Sequence, residues 1–413
     1  MITQDAFTLG QALISTILQK MTSLKASRTR VLIEVLMLYI SFRGRINFSQ
    51  LGKQGEKCEK SYRLHYDKDF DWLTFNKILI ETHCSDELVI GFDPSYIPKS
   101  GKHTPELGYF YSGVAGRAKK GLEIGNISVI DIKQNTSYHL EAVQSPSSNR
   151  KGSKDSKTQV DHYVDVLVQR ATQMEELSAV LVVDGYFSKI KFVDGICQNT
   201  GFEIICKFRD DANLQYLYNG EQKTGRGRNR KYAGKVDVKK IDKRRIKKVH
   251  GDDEISIYSA LVYSVGLKRK VKLCFVEFYN ENNEVALTKL FFSTNEQRSG
   301  QQILAYYKAR FQMEFNFRDA KQYTGLENCQ ARSLEKLHFH FNASLTSVNI
   351  AKCLLRKDVD KNTSTPLSIG DLKIQLQNRN MLFRIFSIYG FDPKLIKINE
   401  DYQKIINYGS IAA

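Results

Sequence analysis

The chain has 413 residues, 42% of them apolar and 26% charged, which allows a sizeable core and excludes wholesale disorder. Sixty-two Lys+Arg against 45 Asp+Glu leave a formal charge of +17, which points to a polyanionic partner, either nucleic acid or an anionic membrane surface. The most apolar early stretch, 31–40, carries Glu34 and falls well short of the roughly 20 residues needed to span a bilayer, so no membrane residence is expected. The first twenty residues lack the cationic start of a secretory signal. The seven cysteines are an odd number and include no CxxC pair, so neither a zinc site nor a disulfide framework is expected, and the expected compartment is the reducing cytoplasm.

In chain order, residues 1–80 read as helical. The run 28–42 has the apolar density of a core helix. Residues 47–66 read as a short helix, a glycine break at 52–55 and a basic second helix, an order equally compatible with a helix-turn-helix and with a generic helical bundle. DELVIGFDP (86–94) reads as a short buried strand ending at Asp93 and stopped by Pro94. Two more strands follow at 119–135 and 137–145, then a polar loop at 146–157 and a helix at 158–176. SAVLVVDGYF (178–187) is a buried strand that runs into Asp184, followed by a helix near 188–199 and a strand at 201–208.

The alternation stops at 209. Residues 221–249 carry about thirteen Lys/Arg against three acids and read as a nucleic-acid contact. β-Hairpin material follows at 254–267, 271–279 and 285–294. Residues 300–355 return to helix. The tail 356–413 holds short amphipathic pieces suited to packing or self-association.

AYYKARFQMEFNFRDAKQYTGL (305–326) reads as one helix carrying the chemistry. At 100° per residue, Tyr307, Arg310, Glu314 and Lys321 fall within an arc of roughly 60°, with Arg318 beside them. These residues alone are equally compatible with a solvated face of i,i+4 ion pairs. Asp93, Asp184 and Glu314 together are three carboxylates from separate elements. Such a set seats hard divalent cations, which clamp both oxygens of an in-line displacement at phosphorus. The neighbouring cations would then hold DNA phosphates.

The spacing Tyr307-x2-Arg310-x3-Glu314-x6-Lys321 resembles the YREK signature of the insertion-sequence-four family of DDE transposases. GFDPSYIPKSGK around Asp93, VVDGYFS around Asp184, KFRDDANL (207–214) and FFSTN (291–295) are similar to that family's segments. The resemblance covers about residues 25–390. It implies an α/β protein whose RNase H-like core is a mixed sheet with flanking helices, in two parts, 81–208 and 299–355. A β-rich basic insertion (209–298) would interrupt the core. A helical DNA-binding domain (1–80) would precede it, and a small helical region (356–413) would follow.

The resemblance further implies an enzyme that binds terminal inverted repeats, cleaves DNA by metal-dependent hydrolysis and hairpin formation, and joins the 3′ ends to target DNA. Asp93, Asp184 and Glu314 would hold a pair of Mg2+ ions, with Mn2+ able to replace them. Tyr307, Arg310, Lys321 and Arg318 would grip DNA phosphates, and a homodimer would form on the paired ends. The sole tryptophan, Trp72, lies far from the insertion, where relatives place one on a flipped base. Phe291, Phe292 or the tyrosines near 258–263 would have to substitute. Two other readings are a silent DNA-binding regulator and another RNase H-like nuclease. The three acids argue against the first, and the offsets and long insertion against the second. No Walker A ending follows the glycines of GYFYSGVAGRAKKG (108–121), so no nucleotide cofactor is expected.

Overall fold

The computed structural model describes residues 5–21, 24–147, 157–222, 227–238, 241–357, 368–392 and 400–411. The polar loop 146–157 and the basic stretch 221–249 therefore lie partly outside the described residues, at 148–156, 223–226 and 239–240. Five helices come first: α1 (Ala6–Lys20), α2 (Ala26–Ser41), α3 (Phe48–Gln54), α4 (Glu59–Tyr66) and α5 (Trp72–His83). Asp5, Asn47 and Asp71 start α1, α3 and α5 by accepting a backbone N–H from the first turn. Gly55 separates α3 from α4. A Cβ there would stand 2.0 Å from the Tyr62 hydroxyl, so only glycine lets the two helices close up.

Next come β1 (Leu88–Pro98), β2 (Gly108–Ser112), β3 (Arg117–Asp131), β4 (Thr136–Gln144), α6 (Gln159–Glu175), β5 (Val180–Val183), α7 (Ile190–Asn199) and β6 (Glu203–Lys207). They are followed by β7 (Leu214–Leu217), β8 (Tyr232–Lys235), β9 (Lys247–Gly251), β10 (Ile255–Ser264), β11 (Arg269–Tyr279) and β12 (Val285–Ser293). The chain ends with α8 (Gly300–Ala309), α9 (Gln312–Tyr323), α10 (Leu334–Lys357), α11 (Ile369–Ile388) and α12 (Glu400–Asn407).

The described strands form one mixed sheet in the order β2-β3-β1-β5-β6-β12-β11-β10-β7-β8, with β4 also on β3 and β9 on β10. β1 is antiparallel to β3 and parallel to β5, which is parallel to β6. β12 then pairs antiparallel with β6, so the strands of 209–298 extend the same sheet. Strand β1 runs four residues past Pro94, where the sequence pattern predicts its end. Its pairing with β5 ends at Phe92, so from Asp93 onward its only paired neighbour among the described strands is β3. Proline is tolerated on such a half-open strand. Strand β2 is an addition to the expected elements; its five residues lie in the glycine-bearing stretch 108–121.

Alternation along the central strands sorts the core into two faces. Val89, Val180 and Val182 pack with Ile303, Leu304 and Met313 of α8 and α9. Ile90, Phe92, Leu181 and Val183 belong to the larger core, where the Phe92, Tyr163, Phe187 and Phe192 rings meet edge to face or tilted. Among the described residues, no helix is long and apolar enough to cross a membrane.

The outer edge of β4 is closed by side-chain amides. Asn349 accepts from the His139 N–H at 2.9 Å and donates to the His139 carbonyl at 2.8 Å. Asn342 does the same for Ala142, at 2.8 and 2.9 Å. A bulge at Leu140 brings residues 139 and 142 both to the edge. Two turns of α10, about 10.5 Å, match three residues of strand, about 10 Å, so asparagines seven apart meet both positions. Asn76 of α5 donates to the Leu140 carbonyl at 3.0 Å and accepts from Asn349 at 2.9 Å. All three asparagines are fully buried. Replacing Asn349 by leucine leaves a buried N–H and C=O without partners. Urea denaturation should show a loss of roughly 2–4 kcal/mol. A loss under about 0.5 kcal/mol would mean that the amide does not hold the edge.

Candidate active site

Parity and register bring the two aspartates together. Asp93 follows Gly91 and Asp184 follows Val182, so both side chains point to the face covered by α8 and α9. The parallel register pairs Phe92 with Val183, and one further step sets Asp93 beside Asp184. Asp184 stands at the strand end, as expected. It opens a short 3-10 turn, Gly185–Phe187, and its Oδ1 accepts from the Gly185 N–H at 2.7 Å. The buried Cys206 thiol lies 3.2 Å from the Asp184 carbonyl.

The helix expected over 305–326 is instead two helices. The backbone N–H groups of Arg310, Phe311, Met313 and Glu314 bond three residues back, to Tyr307, Lys308, Arg310 and Phe311. That spacing is the tighter 3-10 form, and it breaks the rod between Ala309 and Gln312. Arg310 sits in the joint with its side chain only 12% exposed. Its Nη1 lies 3.4 Å from Asp93 and its Nη2 3.5 Å from Glu314. The Tyr307 hydroxyl donates to Asp184 at 3.1 Å. Tyr307, Arg310 and Glu314 thus meet the two aspartates.

Lys321 lies about two turns beyond Glu314 on α9, with its Nζ 3.3 Å from the Tyr96 carbonyl on β1 and 3.3 Å from Glu327. Arg318 is not brought to the carboxylates. It pairs with Asp319 at 3.1 Å, lies over the Phe315 ring and is 60% exposed.

The expected base-stacking aromatics do not fit their role. Phe291, Phe292 and Tyr258 are buried, and Tyr263 is half-buried against Tyr232. Phe291 packs on Tyr307 at 4.6 Å and so braces the tyrosine. The exposed aromatics beside the acids are Tyr186, with Lys189 over its ring, and Phe311. Gly91 is a further site residue that the sequence pattern did not single out. A Cβ there would come within 2.4 Å of the Met313 sulfur, so any side chain would displace the Met313 side chain that seats the start of α9 on β1. A glycine inside a buried strand was the available signal.

Burial pushes Asp93 up to about 7, with Arg310 pulling it down and Asp184 and Glu314 pushing it further up. Burial tends to lower the Arg310 pKa, but Asp93, Tyr307, Asp184 and Glu314 outweigh it and hold the guanidinium above its ordinary value. Burial and the Asp184 charge raise the Tyr307 hydroxyl well above the usual phenol range. All-oxygen donors suit Mg2+, and a carboxylate this reluctant to ionise calls for a cation. Among the described residues, no three His, Cys, Asp or Glu side chains stand close enough to share one ion. Arg310 lies between Asp93 and Glu314 in that arrangement. Its buried Nε has no hydrogen-bond partner among the described residues.

The folded protein holds the Asp93 proton more tightly than the unfolded chain does. This carboxylate therefore lowers stability increasingly as pH rises from about 4 to about 7. Asp93→Asn should raise the melting temperature of the metal-free protein more at pH 8 than at pH 5. The same shift at both pH values would show that Asp93 does not carry this penalty.

A search of curated proteins gave no match to the chain. A family model described as the transposase DDE domain does match, over residues 152–350. The matched span holds Asp184, Tyr307, Arg310, Glu314 and Lys321, while Asp93 lies before it. That match supports reading the chain as a DDE transposase.

Proposed function

We propose that this protein is the transposase of an insertion sequence. It binds terminal inverted repeats, cleaves them by metal-dependent phosphodiester hydrolysis and hairpin formation, and joins the 3′ ends to target DNA. The observation that carries the reading is the meeting of Asp93 and Asp184, from adjacent parallel strands, with Tyr307, Arg310 and Glu314 from the α8–α9 joint. The order β4-β3-β1-β5-β6, three antiparallel strands and then two parallel to β1, supports an RNase H-like core. The YREK offsets support a place in the insertion-sequence-four family.

Asp93, Asp184 and Glu314 would hold two Mg2+ ions, with Mn2+ able to substitute. When bound, such ions supply Lewis-acid stabilisation of charge at phosphorus and activate the attacking oxygen. The chain's own groups grip and orient the strand. Arg310 offers a fixed fork of donors to a phosphate, Tyr307 a hydroxyl beside Asp184, and Lys321 a point charge farther along α9. Helices α3 and α4 are the candidates for reading the element ends, and a second copy would complete the synaptic complex on cytoplasmic DNA.

The test uses wild type and Glu314→Ala with duplexes carrying the element's own ends, in Mg2+ or Mn2+, read on a denaturing gel. Nicks and hairpins from wild type, reduced at least about 100-fold in the variant, are the expected outcome. Equal cleavage by both removes Glu314 from the chemistry, and binding without cleavage by both favours a silent regulator. Mg2+ should also raise the melting temperature of wild type but not of Asp184→Asn.

A further inference from the structure

The tip of the β2–β3 hairpin and one face of its ribbon are exposed. Strand β3 buries its last eleven residues but exposes its first four, Arg117–Lys120, and the turn at 113–116 is exposed throughout. Gly116 closes that turn with a φ of +60°, a conformation glycine adopts at little cost. On the ribbon, Tyr109 pairs with Lys120 and Tyr111 with Ala118, and the two tyrosines are 65% and 66% exposed. Phe110 alone among the ribbon's rings turns inward.

The charge is mostly of one sign. Residues 99–120 hold Lys99, Lys102, Arg117, Lys119 and Lys120 against one acid, Glu106, which accepts from the Ser147 N–H at 2.8 Å. Lys120 donates to the Gly101 carbonyl at 3.0 Å, which ties the ribbon to the neighbouring turn.

Register relates the ribbon to the acids. Asp93 pairs with Asn126 on β3, and alternation from Asn126 reaches Lys120 and Ala118, so Tyr109, Tyr111 and Lys120 lie on the Asp93 face, with Arg117 and Lys119 on the other face of the ribbon. Between the two lies Tyr96, whose hydroxyl donates to the Lys120 carbonyl at 2.7 Å and whose own carbonyl receives Lys321. Eight residues of strand at about 3.3 Å each put Ala118 roughly 26 Å beyond Asn126, the length of about eight base pairs.

We propose that this ribbon is a second DNA-contacting element and that it holds target duplex about eight base pairs from the bond being joined. A two-stranded β-ribbon fits the major groove of B-DNA. Tyrosine hydroxyls, Lys and Arg all contact phosphates, and the exposed positions carry no Asn or Gln to read adenine, which leaves guanine edges as the bases that Arg117 and the lysines could read. Phosphate contacts are independent of sequence, and a ribbon with so few base-reading groups suits a target better than a defined terminal repeat. The inference rests on the transposase reading, but its test is binding and does not require cleavage.

The measurement is the affinity of the full chain for a random-sequence duplex, by fluorescence anisotropy over a salt series. Arg117→Ala/Lys119→Ala/Lys120→Ala should reduce the slope of log K against log salt by about 0.9 for each phosphate no longer neutralised. Tyr109→Phe/Tyr111→Phe, which keeps the charge and the rings, should weaken binding about tenfold, roughly threefold for each hydrogen bond removed. Photocrosslinking from position 114, on a synthetic branched duplex supplied with the end already joined to target, should label target DNA near the eighth base pair from the joined phosphate. Wild-type affinity in the tyrosine variant overturns the proposal even if the charge variant has a lower slope, because net charge alone then accounts for binding. Retained melting temperatures in both variants show that the fold is intact. Failure of wild type to cleave element ends would instead count against the transposase reading.

Discussion

A carboxylate on the covered face of a sheet needs a cation, and Asp93 meets Arg310. That contact orders much of the molecule around it. Arg310 reaches the sheet because the helix breaks where it stands, and the break is set by four backbone bonds of the tighter spacing. The joint is seated by Met313 over Gly91 on one side and by Phe291 against Tyr307 on the other. The site is therefore the polar end of an apolar contact between α8, α9 and the central strands. A change in that contact displaces charge as well as packing.

The same sheet needs its margin closed. Strand β4 would present an open row of backbone groups, and α10 covers it with asparagines at the helix repeat. Because Asn76 joins this set, α5 is tied to the sheet through hydrogen bonds as well as through the shared core. The helices that precede the sheet are thus held against it. Under the proposed function, a surface formed by α3 and α4 would then keep a fixed relation to the acids, which suits two contacts on one DNA molecule.

Legibility in the sequence followed the range of the interactions. Asp184 at a strand end, the apolar strands around it and the paired offsets of Tyr307, Arg310 and Glu314 are local patterns, and they could be read directly. The far end of β1 could not, because Pro94 stops a strand only when both its edges are paired, and β5 had already turned away. The break at 310–311 carries neither proline nor glycine, so nothing local announced it. Phe291 and Phe292 looked available because exposure depends on what packs above a strand; here α8 lies over Phe291, and Phe292 faces the larger core against Phe208. Arg318 and Lys321 lie on opposite sides of Glu314, about 40° and 20° away. The sequence could not say which flank faced the sheet, and the Lys321 flank does.

The charge of +17 also acquires a direction. Arg310 lies at the acids, Lys321 beside Tyr96, and Lys120 beyond it on the same strand system. Under the proposed function, Arg310 has two competing tasks. It neutralises Asp93 and Glu314, and it is also the donor closest to any phosphate brought to them. Its contacts to the acids are long, 3.4 and 3.5 Å, and its Nε has no hydrogen-bond partner among the described residues. A phosphate would complete that hydrogen-bonding capacity, while divalent ions would take over the neutralising role. The strained electrostatics around Asp93 then favour the loaded site over the bare one. Binding of ions and DNA at this site would therefore be mutually reinforcing.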